Sequence, residues 1–301
     1  MGTPAFAVPC LERLLADGHT VSLVVTQADK PKGRGQKLLP PPVKETALNH
    51  QLPVYQPTTL KSEEALSVLQ QAAPDVIVVV AYGKLLPKAV LELPRYGCIN
   101  VHASLLPKYR GAAPIQWSVL SGDTVTGVTT MFMDVGLDTG DMLLKAEYPL
   151  NDSITSGELH DALAPLGAQT LSDTLKALEN GTLQRYPQTN EGTSYASMLT
   201  KEMSAVDFSK NAAVLHNQVR GLNPWPSAVV MFEGKRLKLH RTRVGEPCKA
   251  PVGTVVSVDP VTISCGENTS LILEEVQYEG GKRMAAADFF RGHPLTVSQQ
   301  F

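Results

Sequence analysis

The sequence holds no run of about 18 uninterrupted apolar residues, so hydropathy offers no membrane-spanning helix. Its first residues lack a basic segment followed by an apolar stretch and a cleavage site. Together these absences set the expectation of a soluble, cytoplasmic protein. The four cysteines, Cys10, Cys98, Cys248 and Cys265, lack the paired spacing that a structural zinc site needs and are read as buried or idle thiols. No internal repeat recurs at a fixed period. A Gly-x-Ser-x-Gly elbow, a phosphate-binding Walker loop and a metal-spaced His pair are all missing, which removes the commonest nucleophilic, nucleotide-hydrolysing and metal-dependent chemistries.

Strong net charge is missing as well. At −2 the whole chain advertises no polyanionic partner, yet residues 204–249 hold eight Lys and Arg against three acids. Such local asymmetry is the footprint of a nucleic-acid surface that an overall charge conceals. The hydrophobic share of 43% and charged share of 19% are those of a folding chain, and 301 residues suit two domains.

Residues 20–27, 75–83 and 97–104 are short β-branched runs bounded by polar residues or glycine, as in strands buried on both faces. Helical patterns over 11–19 and 62–73 lie between them, the second opening on Ser62 with acids in its first turn. This alternation predicts an α/β open sheet, mostly parallel. The chain enters a turn and helix directly from Met1, so a strand usual at the centre of such a sheet is absent, and residues upstream of Met1 are expected to complete it.

Residues 28–44 interrupt the rhythm with glycines, four prolines and five basic side chains, which suits a loop that closes on phosphates. A long helix is expected over 156–181, capped by Ser156 and ended by Gly181. A polar stretch over 182–209 reads as a linker. After a short helix near 212–219, repeated short strands with a hairpin at Glu233-Gly234 point to a small antiparallel barrel.

Ligands of open α/β sheets bind beyond the carboxyl ends of strands. Asn100 and His102 fall at such an end and, two residues apart, share a face. Downstream, “MDVGLDTGDML” (residues 133–143) places Asp134, Asp138 and Asp141 between apolar flanks, so that one carboxylate can be partly buried against His102. Spacing alone leaves open which one. An amide N–H and an imidazolium can stabilise an oxyanion while a carboxylate orients the imidazole, a kit for acyl transfer in which the nucleophile comes from the substrate.

“NVHASLLPKYRGAAPIQW”, “MDVGLDTGDML”, “ADKPKGRG”, “VVVAYG” and “LNPWP” closely resemble the methionyl-tRNA formyltransferases, a family of folate-dependent formyltransferases, through nearly all the chain. The resemblance implies a Rossmann-like catalytic domain over 1–183, a linker over 184–203 and an OB-like β-barrel domain over 204–301. It implies transfer of the formyl group of 10-formyltetrahydrofolate, a co-substrate, to the α-amino group of initiator methionyl-tRNA, by a monomer with no metal and no membrane partner. Asn100, His102 and Asp138 match the catalytic trio. Ser104, Leu105, Leu106, Pro107, Tyr82 and Gly83 are expected at the folate. Lys30, Lys32, Arg34, Lys37, Lys108, Arg110, Lys235, Arg236, Lys238, Arg241 and Arg243 are expected at the tRNA, part of the last group being plain solubilising charge. The family begins with a strand feeding Gly-Thr-Pro, whereas Gly2-Thr3-Pro4 here follow Met1 directly. Another folate formyltransferase, a formyl hydrolase, or an inactive RNA-binding relative are the alternatives.

Overall fold

The computed structural model describes residues 1–32 and 37–301. Its helices, in chain order, are α1 (Val8–Ala16), α2 (Pro42–Asn49), α3 (Glu63–Gln71), α4 (Lys88–Leu91), α5 (Pro114–Leu120), α6 (Ser156–Glu179), α7 (Ala212–Gly221) and α8 (Ala286–Gly292). The chain divides into two compact units: Met1–Pro114 with Val125–Pro149 and His160–Ala196, and Ile115–Thr124 with Leu150–Leu159 and Ser197–Phe301.

In the first unit the strands are β1 (Val24–Val25), β2 (Lys30–Lys32), β3 (Lys37–Leu39), β4 (Val54–Tyr55), β5 (Ile77–Val79), β6 (Cys98–His102), β7 (Arg110–Gly111), β8 (Val125–Phe132), β9 (Met142–Pro149) and β10 (Tyr195–Ala196). Four of them form one sheet in the order β5-β6-β8-β9. Only β5 and β6 are parallel; β6-β8 and β8-β9 run antiparallel, so the mostly parallel sheet expected from the sequence is in fact mixed. For β8 and β9 the reason is length. Residues 133–141 are too few for the crossover that parallel neighbours require, and β8 turns directly back into β9.

Among the described residues β1 pairs only with β4, in a separate two-stranded sheet. Between β1 and β5 lies a cavity of about 800 Å³, lined by Val24, Val25, Ile77 and Val78 with Cys10 and Leu11 of α1 and Leu175 of α6. Met1 and Gly2 sit at its end and bridge both sides: the Gly2 N–H donates to the Val25 carbonyl (3.0 Å), the Val80 N–H to the Met1 carbonyl (2.9 Å), and the Met1 nitrogen to the Val78 carbonyl (2.6 Å).

Helix ends follow local chemistry. The Ser62 hydroxyl accepts from the Ala65 N–H at 3.2 Å, and Glu63 and Glu64 occupy the positive first turn of α3. For α6 the cap is Thr155 and not Ser156. The Thr155 hydroxyl accepts from the Glu158 N–H (3.2 Å) while the Glu158 carboxylate accepts from the Thr155 N–H (2.8 Å), a reciprocal box one residue earlier than expected.

The second unit adds β11 (Ala228–Phe232), β12 (Lys235–Val244), β13 (Val255–Val258), β14 (Val261–Cys265), β15 (Thr269–Tyr278) and β16 (Arg283–Ala285). Their antiparallel order is β11-β12-β15-β14-β13, with β16 also on β15. Glu233 (φ 47°) and Gly234 (φ 74°) form the two-residue turn, both left-handed, that matches the twist of the flanking strands. Leu215 and Val219 of α7 pack on Leu237, Leu239, Leu271 and Val276, and Phe232 meets Phe289 and Phe290 edge-on. The barrel expected from the sequence is observed as an open sheet, because no pairing among the described residues joins β11 to β13.

Candidate active site

β6 is buried at all five positions, flanked by β5 and β8, and delivers Asn100 and His102 to its carboxyl end on one face. Asn100 is 8% exposed, and among the described residues its side-chain amide makes no hydrogen bond. The His102 Nε2 lies 2.9 Å from the Tyr109 carbonyl, which can only accept, so this nitrogen carries a proton. Its Nδ1 faces Asp138 Oδ2 at 3.7 Å, an ion pair only when the ring is protonated at both nitrogens.

Tyr109 is brought there by a self-bonded turn. The Ser104 hydroxyl donates to the Lys108 carbonyl (2.6 Å), the Thr129 hydroxyl donates to the Ser104 carbonyl (2.7 Å) and accepts from the Leu106 N–H (3.1 Å). From β9, the Lys145 ammonium donates to the Leu106 carbonyl (2.5 Å), and burial pushes the Lys145 pKa below its ordinary value.

The three aspartates separate by partner. The exposed Asp134 accepts from its own loop, the Gly136 N–H (2.9 Å) and the Thr139 hydroxyl (2.6 Å). Asp141 pairs with Arg185 (2.9 Å), whose guanidinium stacks on Phe132. Asp138 alone turns inward, at φ 53°, accepting the Gly111 N–H (2.9 Å) beside His102. Gly140 permits this loop path, since a Cβ there would sit 1.9 Å from the Phe132 carbonyl oxygen.

Of the residues expected at the folate, Leu105, Pro107 and Gly83 reach the surface. Ser104, Leu106 and Tyr82 are buried, so they form the wall behind the site. The exposed apolar side chains Val135 and Leu137 lie on the Asp138 loop, where the sequence reading named only aspartates.

Among the basic residues, Lys30, Lys108, Lys235, Arg236 and Lys238 are exposed. Lys32 and Lys37 lie on the β2-β3 hairpin, and Arg34 falls outside the described residues. Arg110 departs from its expected place on a tRNA-facing surface. It is 4% exposed, with Nε and Nη2 on the Gln188 oxygen (3.0 and 2.8 Å). Arg241 pairs with Glu158 (2.6 Å) and Arg243 with Glu274 (3.2 Å), both pairs partly exposed. Thr129, Lys145 and Gln188 escaped the sequence reading because nothing local marks a polar side chain whose partner is a distant backbone carbonyl.

A sheet-end amide, imidazole and carboxylate on a mixed α/β unit, followed by an antiparallel β unit, define the class, and sequence comparison agrees. The family described as formyl transferase matches residues 1–175, and its C-terminal domain matches residues 198–294. A methionyl-tRNA formyltransferase of Acetivibrio thermocellus is 49% identical over 299 residues, covering 98% of this chain and 96% of the relative. One from Clostridioides difficile is 48% identical over 298 residues, with the same shares of 98% and 96%. The chain belongs to the methionyl-tRNA formyltransferase family. At the level of fold alone, it is similar to the N-formyltransferase of Helicobacter canadensis in complex with folinic acid and dTDP-3-aminofucose (TM-score 0.69, 20% identity, 92% of this chain and 97% of that one). It is likewise similar to the sugar 3N-formyl transferase WlaRD in the presence of dTDP and 5-N-formyl-THF (TM-score 0.67, 19% identity, 92% and 95%).

Proposed function

We infer that this chain transfers the formyl group of 10-formyltetrahydrofolate to the α-amino group of initiator methionyl-tRNA. The observation that carries the chemistry is the Asn100 side chain at a sheet end, 8% exposed and with no hydrogen-bond partner among the described residues, beside a His102–Asp138 pair. The folate co-substrate supplies an activated formyl group. The α-amino nucleophile has an ordinary pKa of about 8 and is readily available as the free amine near neutral pH. Asn100 donates an N–H to the formyl oxygen as negative charge develops there, and the His102 Nε2–H adds a second donor by leaving the Tyr109 carbonyl when substrate binds. Asp138 fixes the ring's orientation and compensates its charge, and the nitrogen that loses the formyl group takes up a proton as the new amide forms. Leu105, Pro107, Gly83, Val135 and Leu137 offer surface to the folate.

Lys30, Lys108, Lys235, Arg236 and Lys238 are exposed cations that suit RNA phosphates. An OB-like character of the second unit, monomeric action and a cytoplasmic setting belong to the same reading.

The test is to incubate the protein with 10-formyltetrahydrofolate and methionyl-tRNA and to measure formylmethionine. Formyl transfer that collapses in His102→Ala is the expected result. Formate release without an acceptor, or transfer only to an amino-sugar nucleotide, would replace this reading with a hydrolase or a sugar formyltransferase.

A further inference from the structure

Gln188 lies in the polar stretch after α6 that the sequence reads as a linker, yet every hydrogen-bonding group of its amide is used. Its Nε2 donates to the Asp138 carbonyl and to the Gly140 carbonyl, each at 2.8 Å. Its Oε1 accepts from Arg110 Nε (3.0 Å) and Nη2 (2.8 Å). Chemistry fixes this orientation, because the opposite one would set the amide NH₂ against a guanidinium and its oxygen against two carbonyls. Arg110 precedes Gly111, whose N–H holds the Asp138 carboxylate. Asp138 is therefore pinned from two sides, by Gln188 at its backbone and by Gly111 at its side chain, in a left-handed conformation that Asp tolerates better than most non-glycine residues.

We propose that Gln188 is a positioning residue for the transfer reaction, holding the Asp138 loop so that the carboxylate stays against His102. The proposal rests on the roles given to His102 and Asp138 above. It assigns a function to a side chain 50 residues from Asp138 in sequence, and it gives the buried Arg110 a reason other than RNA contact. Arg110 holds the far end of the Gln188 amide, and its own backbone joins that end to Gly111.

Gln188→Glu separates this role from general stability. The carboxylate keeps, and strengthens, the acceptor for Arg110, but it replaces two N–H donors with oxygens facing two carbonyls. The fold is expected to hold, with thermal midpoint unchanged or higher, while the loop carrying Asp138 is released. With kcat and KM measured for both substrates, kcat is expected to fall on the order of ten- to a hundredfold, as for a displacement of about 1 Å at a reacting centre, and both KM values to move less than about twofold. Gln188→Ala is expected to give the same kcat loss. In an Asp138→Asn background either change is expected to add less than about twofold, because the lost interaction acts through Asp138. Undiminished kcat in Gln188→Glu, where Asp138→Asn is severely impaired, overturns the proposal, as do full additivity with Asp138→Asn and a loss confined to KM. Wild-type kcat in Asp138→Asn overturns instead the role given to Asp138.

Discussion

Asn100 is 8% exposed and its amide is not among the fully buried side-chain atoms that lack a partner, so water can satisfy it and it carries little folding cost. In the proposed reaction it binds the developing oxyanion. Asn100→Ala should therefore leave the thermal midpoint close to unchanged, while kcat falls on the order of a hundred- to a thousandfold, the loss seen when one oxyanion donor is removed. A lowered midpoint with retained kcat would reverse that assignment. The thiols behave in the opposite sense. Burial pushes the Cys10, Cys98 and Cys265 pKa values up to about 12, so at pH 8 they are neutral and shielded. Alkylation of the native protein at pH 8 should modify Cys248, which is half-buried, and reach the other three only after unfolding; mass spectrometry of the digested protein reads this directly.

Elements were legible in the sequence where one local signal sets them and illegible where a distant contact does. Ser62 with its acids, the Glu233-Gly234 turn and the β-branched run ending in His102 carry their own instructions, and each stands where expected. The antiparallel course of β8 and β9 was missed because it depends on a connection length that only known strand ends define. Arg110 reads as a surface cation because its partner Gln188 lies 78 residues away. The cap of α6 was displaced by one residue for a similar reason, since Thr155 and Ser156 are both competent and the reach of Glu158 decides. Burial alone would raise the Glu158 pKa, but the two Thr155 hydrogen bonds and Arg241 outweigh it and the net direction is down. A depressed carboxyl contributes stability that is full above its unfolded value and is lost as pH falls through the folded one. Thr155→Ala should thus cost about 1 kcal/mol at pH 7 and measurably less near pH 3, by denaturant titration at the two pH values.

For the whole molecule, the sequence established two kinds of architecture and the family, and its account of Asp138 came from resemblance because spacing could not rank three aspartates in one loop. It also set the expectation of a strand ahead of Met1, and a cavity of about 800 Å³ is lined by residues of both β1 and β5. The hydrogen bonds of Met1 and Gly2 to Val78, Val80 and Val25 continue the ladders of both neighbours. In the 301-residue chain an ammonium occupies that position, and burial lowers its pKa from 8.0 to about 6. Its depressed value means that the unfolded chain binds more protons between about pH 6 and 8. Stability should therefore rise with pH across that window, by roughly 2–3 kcal/mol, and level off above it. Joining an extended segment of about five β-branched residues ahead of Met1 turns the ammonium into an amide and fills an apolar slot between two strands. The extended chain should melt at a higher temperature, lose the pH 6–8 rise, and protect the backbone amides of β1 and β5 from hydrogen exchange. The same extension with proline at its centre, which removes a ladder donor, should lose most of the gain in melting temperature. Equal melting temperatures for all three chains, with unchanged exchange at Val25 and Val78, would show that the slot does not seat a strand.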